Sequence, residues 1–148
     1  MTTTPRRFLG LLGAGVVAAV LAPTIASAQT NGVAVKNKVV FQMSDDDPAK
    51  WNLALNNMRN VQIDVGDDEV ELELVAYGPG IGMLKADSPV AKGVTEALKT
   101  GAKEVACENT MKSQKLGYAD MLPNIGYAPS GVVELMRKQQ QGYAYIRP

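Results

Sequence analysis

Short apolar runs alternate with helix-compatible stretches along most of this chain, and that rhythm constrains the fold more than any single residue does. Lys38-Val39-Val40-Phe41-Gln42-Met43-Ser44 is a short apolar run of strand character. Asp45-Asp46-Asp47-Pro48 follows as a helix start, an aspartate cap with proline at the first helical position. Trp51, Leu53, Ala54, Leu55, Met58 and Val61 then recur at helical spacing and predict an amphipathic helix to about Asn60. After a turn at Asp67-Asp68, Val70, Leu72 and Leu74 alternate with Glu69, Glu71 and Glu73, ahead of Val75-Ala76-Tyr77. That pattern predicts a strand with one solvated side in its first half, at a sheet edge.

Gly78-Pro79-Gly80-Ile81-Gly82 reads as a loop, with Met83-Leu84 behind it. Ser88-Pro89 opens a second helix, whose apolar stripe is Val90, Val94, Ala97 and Leu98 and whose stop is Gly101. A third strand-like run, Ala102-Lys103-Glu104-Val105-Ala106-Cys107, leads into helix-compatible sequence from Glu108 through Leu116. A turn at Asp120-Met121-Leu122-Pro123-Asn124 precedes a short strand, Ile125-Gly126-Tyr127-Ala128. Pro129-Ser130-Gly131 opens the last helix, with Val132, Val133, Leu135 and Met136 as its apolar residues. Gly142 ends it, and Tyr143-Ala144-Tyr145-Ile146-Arg147 is a final strand. Regular β-α alternation calls for parallel strands, right-handed crossovers and helices on both faces. The expected fold is therefore a three-layer α/β/α domain over residues 38–148, built on a five-stranded, mainly parallel sheet.

The N-terminal 28 residues read as an address rather than as fold. Arg6-Arg7 is a positive start, residues 8–22 are apolar, and Ala26-Ser27-Ala28 is a small-x-small cleavage pattern. The apolar stretch falls short of the about 20 residues of a spanning helix, and Pro23 closes it. Both Sec and Tat-like export fit, because the twin arginine is followed directly by Phe8-Leu9 without the residue that usually separates them. Cleavage before Gln29 would leave a periplasmic or secreted protein with a flexible lead-in at residues 29–37 and no remaining membrane segment.

Removing Arg6 and Arg7 leaves 13 basic against 15 acidic residues. With no basic run interleaved with aromatics, nucleic acid is not an expected partner. A single cysteine rules out an intramolecular disulfide, so the core must suffice unaided. Histidine is absent altogether, which removes Ser-His-Asp and Cys-His catalysis and histidine-based zinc sites within one chain.

That one cysteine, Cys107, stands at a predicted strand-to-helix junction, where open α/β sheets place their ligand sites. Two readings are open. As a reactive thiol, Cys107 needs thiolate character, supplied by helix N–H groups and Lys112 and opposed by Glu108. As a small buried hydrophobe, it needs nothing. Asn109 and Thr110 in the next turn either present hydrogen bonds to a bound group or cap the helix. The loop carrying Gly78 and Gly80 lacks the spacing of a phosphate-binding motif and reads as turn chemistry that can border the Cys107 cleft. Asp45, Asp46 and Asp47 suit a cap better than a cation. Met43, Met83, Met111 and Met121 suit core filling better than copper ligation. No cofactor or metal is expected.

Several segments taken together resemble one family. Asp45-Asp46-Asp47 ahead of a helix ending Leu55-Asn56-Asn57-Met58-Arg59-Asn60, Ala76-Tyr77-Gly78-Pro79-Gly80, Ala106-Cys107-Glu108-Asn109-Thr110-Met111, and the tail from Pro129-Ser130-Gly131 to Gln141-Gly142-Tyr143-Ala144-Tyr145-Ile146 are similar to the DsrE/DsrF-like proteins of the sulfur-relay superfamily. The resemblance implies a flavodoxin-like sheet and a homo-oligomer. In its sulfur-carrying members a cysteine after the third strand holds a persulfide and passes it to a partner, and Cys107 falls at that position. On this resemblance the expected function is an exported thiol protein relaying sulfane sulfur on Cys107, with Asn109, Thr110, Gly78 and Gly80 around the bound group and a sulfur donor or acceptor as partner. The alternative is a non-catalytic oligomeric module that keeps the fold. Leu116, Tyr118, Met121 and Leu122 are the expected interface residues.

Overall fold

The computed structural model describes residues 36–148. The expected leader and nearly all of the lead-in lie outside the described residues. The elements run β1 (Asn37–Met43), α1 (Pro48–Val65), β2 (Val70–Ala76), α2 (Ala91–Lys99), β3 (Lys103–Cys107), α3 (Glu108–Ser113), β4 (Gly126–Ala128), α4 (Gly131–Gln140) and β5 (Ala144–Ile146). Short 3₁₀ segments occupy Asp67–Glu69, Gly78–Leu84 and Tyr118–Asp120. The alternation read in the sequence is the alternation observed.

The five strands form one sheet in the order β4-β3-β2-β1-β5, and every pair is parallel. From β1 the chain steps outward through β2, β3 and β4, then returns to lay β5 on the other side of β1. Three crossovers in one direction bring α1, α2 and α3 to one face; the single reversed crossover sends α4 to the other. The core divides accordingly. Phe41, Leu74 and Ala106 pack with Trp51, Ala54 and Met58 of α1, Val94 of α2 and Met111 of α3. Val40, Val75, Val105 and Ala128 pack with Leu135 of α4 and with Tyr143.

Helix α1 starts as its sequence dictates, with Asp47 Oδ1 accepting from the Ala49 N–H at 2.8 Å and Pro48 in the first turn. It runs past Asn60 to Val65, because Gln62 extends the buried face. The Gln62 amide donates to the Thr100 carbonyl (3.0 Å) and accepts from the Thr100 hydroxyl (3.2 Å). A polar residue can continue a buried stripe once its hydrogen bonds are met.

β2 is not an edge strand: it lies between β1 and β3 at the centre of the sheet. Its acidic side is covered by α4 at Glu73, while Glu71 is half-buried and Glu69 remains exposed. Lys138 of α4 sits 2.6 Å from Glu73, whose side chain is buried, and the Tyr143 hydroxyl donates to Glu71 at 2.7 Å. Alternation of Glu with Leu and Val says only that the two sides differ. It cannot say that a lysine sixty-odd positions later will neutralise one of them. The segment after α3 is corrected as well. Tyr118 is exposed, but Met121 and Leu122 are 4% and 8% exposed. They are stitched down by Leu122 N–H to the Leu84 carbonyl (2.9 Å) and Ala86 N–H to the Asp120 carbonyl (2.9 Å).

Glu104, in the middle of β3, is 0% exposed, and neither carboxyl oxygen has a hydrogen-bond partner among the described residues. Burial pushes its pKa well above the usual carboxylate range, so it is held neutral. The native state thus retains a proton that the unfolded chain releases above about pH 4.3, and stability falls as pH rises from there towards the native pKa. Glu104→Met removes both the unpaired group and this slope. Denaturant unfolding should show the variant more stable at neutral pH by about 1–3 kcal/mol, with an advantage that shrinks towards pH 4. A difference independent of pH would contradict this reading.

Candidate functional site

Cys107 ends β3 and is the residue that flanks α3, so its backbone is still extended (φ −78°, ψ 114°) while the next peptide turns helical. At 5% exposure the thiol is nearly enclosed. The close neighbour is Gly131, the first residue of α4. A Cβ there would lie 3.2 Å from Cys107 Cβ and 3.0 Å from Tyr77 Cβ, so a side chain at this position would force the α4 N-terminus or its neighbours to give by a few tenths of an ångström. The Asn109 N–H donates to the Pro129 carbonyl at 3.2 Å, tying the start of α3 to the approach of α4. The sulfur therefore lies where the first turns of two helices converge.

Burial by itself would push the thiol pKa up. The Thr110 hydroxyl and the backbone N–H groups of Gly131, Thr110 and Asn109 act the other way, and together they hold the pKa below its ordinary value. Glu108 was expected to oppose ionisation, but its carboxylate accepts from the Tyr118 hydroxyl. Tyr118 in turn packs edge-on against Tyr127, with ring centroids 4.7 Å apart. Lys112, the expected charged activator, is exposed in the last turn of α3 and makes no ion pair among the described residues. The lowering of the thiol pKa comes from hydrogen-bond donors, not from a lysine.

The other sequence candidates separate. Gly78 meets Thr110: its N–H donates to Thr110 Oγ1 at 2.9 Å, and its carbonyl accepts from Gln114 Nε2 at 3.1 Å. Its φ of +54° is the left-handed conformation that favours glycine, and no atom lies within 4 Å of where a Cβ would be. Gly80 is placed differently, against the end of β1. A Cβ at that position would lie 2.5 Å from the Met43 carbonyl oxygen, so its smallness serves backbone packing. Thr110 is buried beside Cys107, whereas Asn109 is exposed and its side chain makes no hydrogen bond among the described residues.

Asp47 caps α1, and Asp45 pairs with Lys50 at 3.1 Å. Among the described residues no group of three or more Asp, Glu or Cys is placed to hold a metal. Met43, Met83, Met111 and Met121 are all core.

Sequence reasoning passed over two site residues, Gly131 and Tyr77. The Pro129-Ser130-Gly131 and Tyr77-Gly78-Pro79 strings were visible, but their meeting around Cys107 was not. Tyr77 also belongs to a polar chain. Gln42 Nε2 donates to the Tyr77 hydroxyl (2.7 Å) and to Ser44 Oγ (2.8 Å), while Gln42 Oε1 accepts from the Tyr145 hydroxyl. This chain links the Cys107 neighbourhood to the carboxyl ends of β1 and β5, where the strand order reverses.

Among solved structures, this chain is similar to a protein of unknown function, MTH1491, from Methanobacterium thermoautotrophicum. The two are 35% identical with a TM-score of 0.72, over 76% of this chain and 99% of that one. It also shares its fold with BT1422 from Bacteroides thetaiotaomicron (14% identity, TM-score 0.60, 80% and 100% of the two chains). The ychN protein from E. coli shares the fold as well (11% identity, TM-score 0.59, 76% and 99%). No curated protein matches the chain. The DsrE/DsrF-like family model matches residues 36–148, the whole of the described domain. With its all-parallel sheet and its single cysteine closing β3, the chain belongs to the DsrE/DsrF-like family.

Proposed function

We propose that this protein is an exported sulfur carrier that accepts sulfane sulfur on Cys107 and hands it on. The observation that carries this reading is the thiol itself, held at the convergence of α3 and α4 with its pKa lowered in spite of burial. A thiolate is the form that attacks sulfur, and a chain without histidine needs fixed donors to favour it.

In the proposed step the Cys107 thiolate attacks the outer sulfur of a persulfide or polysulfide donor. A bond forms between Sγ and that sulfur as the donor's own S–S bond breaks, and the donor departs as a thiolate carrying the bonding electron pair. Cys107 is left as a persulfide. A thiolate of the acceptor then attacks the outer sulfur and releases Cys107 unchanged. No electron acceptor is consumed. Thr110 and Gly78 would border the bound sulfur, with exposed Asn109 at the rim and Gly80 shaping the loop behind. Export to the periplasm or beyond rests on Arg6-Arg7, the apolar stretch after them and Ala26-Ser27-Ala28. A small sulfur species or a donor or acceptor protein is the partner this chemistry requires.

A second reading, a non-catalytic assembly module, is favoured by the near-complete enclosure of the thiol. The two readings diverge on one measurement. After incubation with polysulfide, intact-mass spectrometry should show the mature protein heavier by one sulfur atom, and Cys107→Ser should remain unmodified. An unmodified wild type would leave the module.

Assembly is the second expectation. Tyr118 is the exposed apolar residue of the segment after Cys107, next to Tyr127. We expect light scattering at micromolar concentration to report a dimer or larger homo-oligomer that Tyr118→Asp dissociates into monomers whose circular dichroism is still that of a folded chain. Met121→Asp should instead unfold the chain, because it would bury a charge inside the monomer. A single-chain mass for the wild type, unchanged on serial dilution, would overturn the oligomer.

A further inference from the structure

We propose that Gln42, Tyr77 and Ser44 form a subsite beside Cys107 that holds the carrier end of a persulfide donor, a small peptide-like thiol, by one of its carboxylate or amide oxygens. The inference rests on the sulfur chemistry proposed above and names the class of donor.

Gln42 is a polar residue in an otherwise apolar stretch of β1, and it is 6% exposed. A buried amide has two hydrogens and one oxygen to satisfy. All three are used. The oxygen accepts from the Tyr145 hydroxyl, which fixes the direction in which the amide points. The nitrogen then gives one hydrogen to the Tyr77 hydroxyl at 2.7 Å and the other to Ser44 Oγ at 2.8 Å. Both hydroxyls are thereby made acceptors, and each keeps its own proton. Neither donates to any group among the described residues, and both residues are half-buried. Two hydroxyls tied to one nitrogen present neighbouring protons, and the partner that suits such a pair is an oxygen with free lone pairs.

The place of this pair relative to the thiol sets the size of the donor. Ala76 of β2 is paired with Ala106 of β3, so Tyr77 and Cys107 follow side by side at the strand ends, and both lie against Gly131. Gln42 is level with Val75 and Val105, which face α4, and Cys107 is two residues on from Val105. Gln42 and Cys107 therefore share the α4 side of the sheet. The Tyr77 ring is drawn away from Cys107 towards Gln42, across β2. From β1 to β3 is two strand spacings, about 10 Å. An inorganic polysulfide has no oxygen to offer and cannot use that distance. A persulfide on a short peptide-like carrier can: its outer sulfur meets Cys107 Sγ while an amide or carboxylate oxygen takes the two hydroxyl protons.

The experiment compares two donors on the full-length folded protein. Intact-mass kinetics follow sulfur uptake on Cys107 from glutathione persulfide and from inorganic polysulfide. Titration calorimetry follows the binding of S-methylglutathione, which cannot transfer its sulfur. Tyr77→Phe and Ser44→Ala each delete one oxygen and little else. Each should raise the half-saturating concentration of glutathione persulfide about tenfold relative to any effect on polysulfide uptake, and weaken S-methylglutathione binding by the same factor. Ser44→Thr keeps the hydroxyl and should track the wild type. Variants that slow both donors alike would overturn the subsite, as would a wild type that does not bind S-methylglutathione. The carrier reading is scored separately. A wild type that binds S-methylglutathione through these hydroxyls yet gains sulfur from neither donor loses the relay and keeps the subsite. Uptake from polysulfide beside binding that ignores both hydroxyls does the reverse.

Discussion

A parallel sheet must be buried on both faces, and in this domain one face is covered by a single ten-residue helix. Everything particular to the molecule follows from where α4 has to sit. Leu135 fills the second core against Val40, Val75 and Val105. Lys138, one turn later, reaches down to Glu73, and its ammonium also lies 5.0 Å from the centre of the Tyr143 ring. With the helix held at these two points, its first residue arrives in tight contact with Cys107 and Tyr77, where glycine fits without displacing either. The seating of α4 and the setting of the thiol are one arrangement.

Three buried or half-buried carboxyls in the sheet show how differently the same group can be accommodated. Glu71 is held below the usual range chiefly by the Tyr143 hydroxyl, and that bond adds to the larger effect of burial in pushing the tyrosine well above its ordinary pKa. Glu73 is raised by burial in spite of Lys138, and one of its oxygens has no partner among the described residues. Removing either member of such a pair costs more than the pair contributes, because a buried charge is left alone. Glu104 has no partner among the described residues and is held neutral by burial. Glu73 is therefore part of the interior, held from the α4 side, while Glu71 stays half-buried at the start of β2.

Most of the architecture was legible from spacing. Strand-like runs, an Asp-Pro helix start and glycine stops fixed nine elements in order, and β-α alternation fixed a parallel sheet. The failures were places where a distant partner changes the meaning of a local pattern. Glu73 read as solvated because Lys138 is far along the chain. Met121 and Leu122 read as surface because their hydrogen bonds to residues 84–86 cross the fold. Gln62 read as outside the helix stripe because Thr100 had yet to be brought to it. Glu104 passed as one polar residue in an apolar run.

The site divides along the same line. The sequence by itself determined that one cysteine would close a strand and open a helix, that no histidine could assist it, and that a glycine loop would precede it in the sheet. These are properties of residue identity and of periodicity, which are local. Only the tertiary structure decided that Gly131 would bring a second helix to the sulfur, that Gly78 would orient Thr110, and that Glu108 would turn to Tyr118. Those outcomes depend on strand order, and strand order is set by which crossover reverses direction. No window of residues encodes that choice, since it is settled by how all four helices cover the two faces of the sheet.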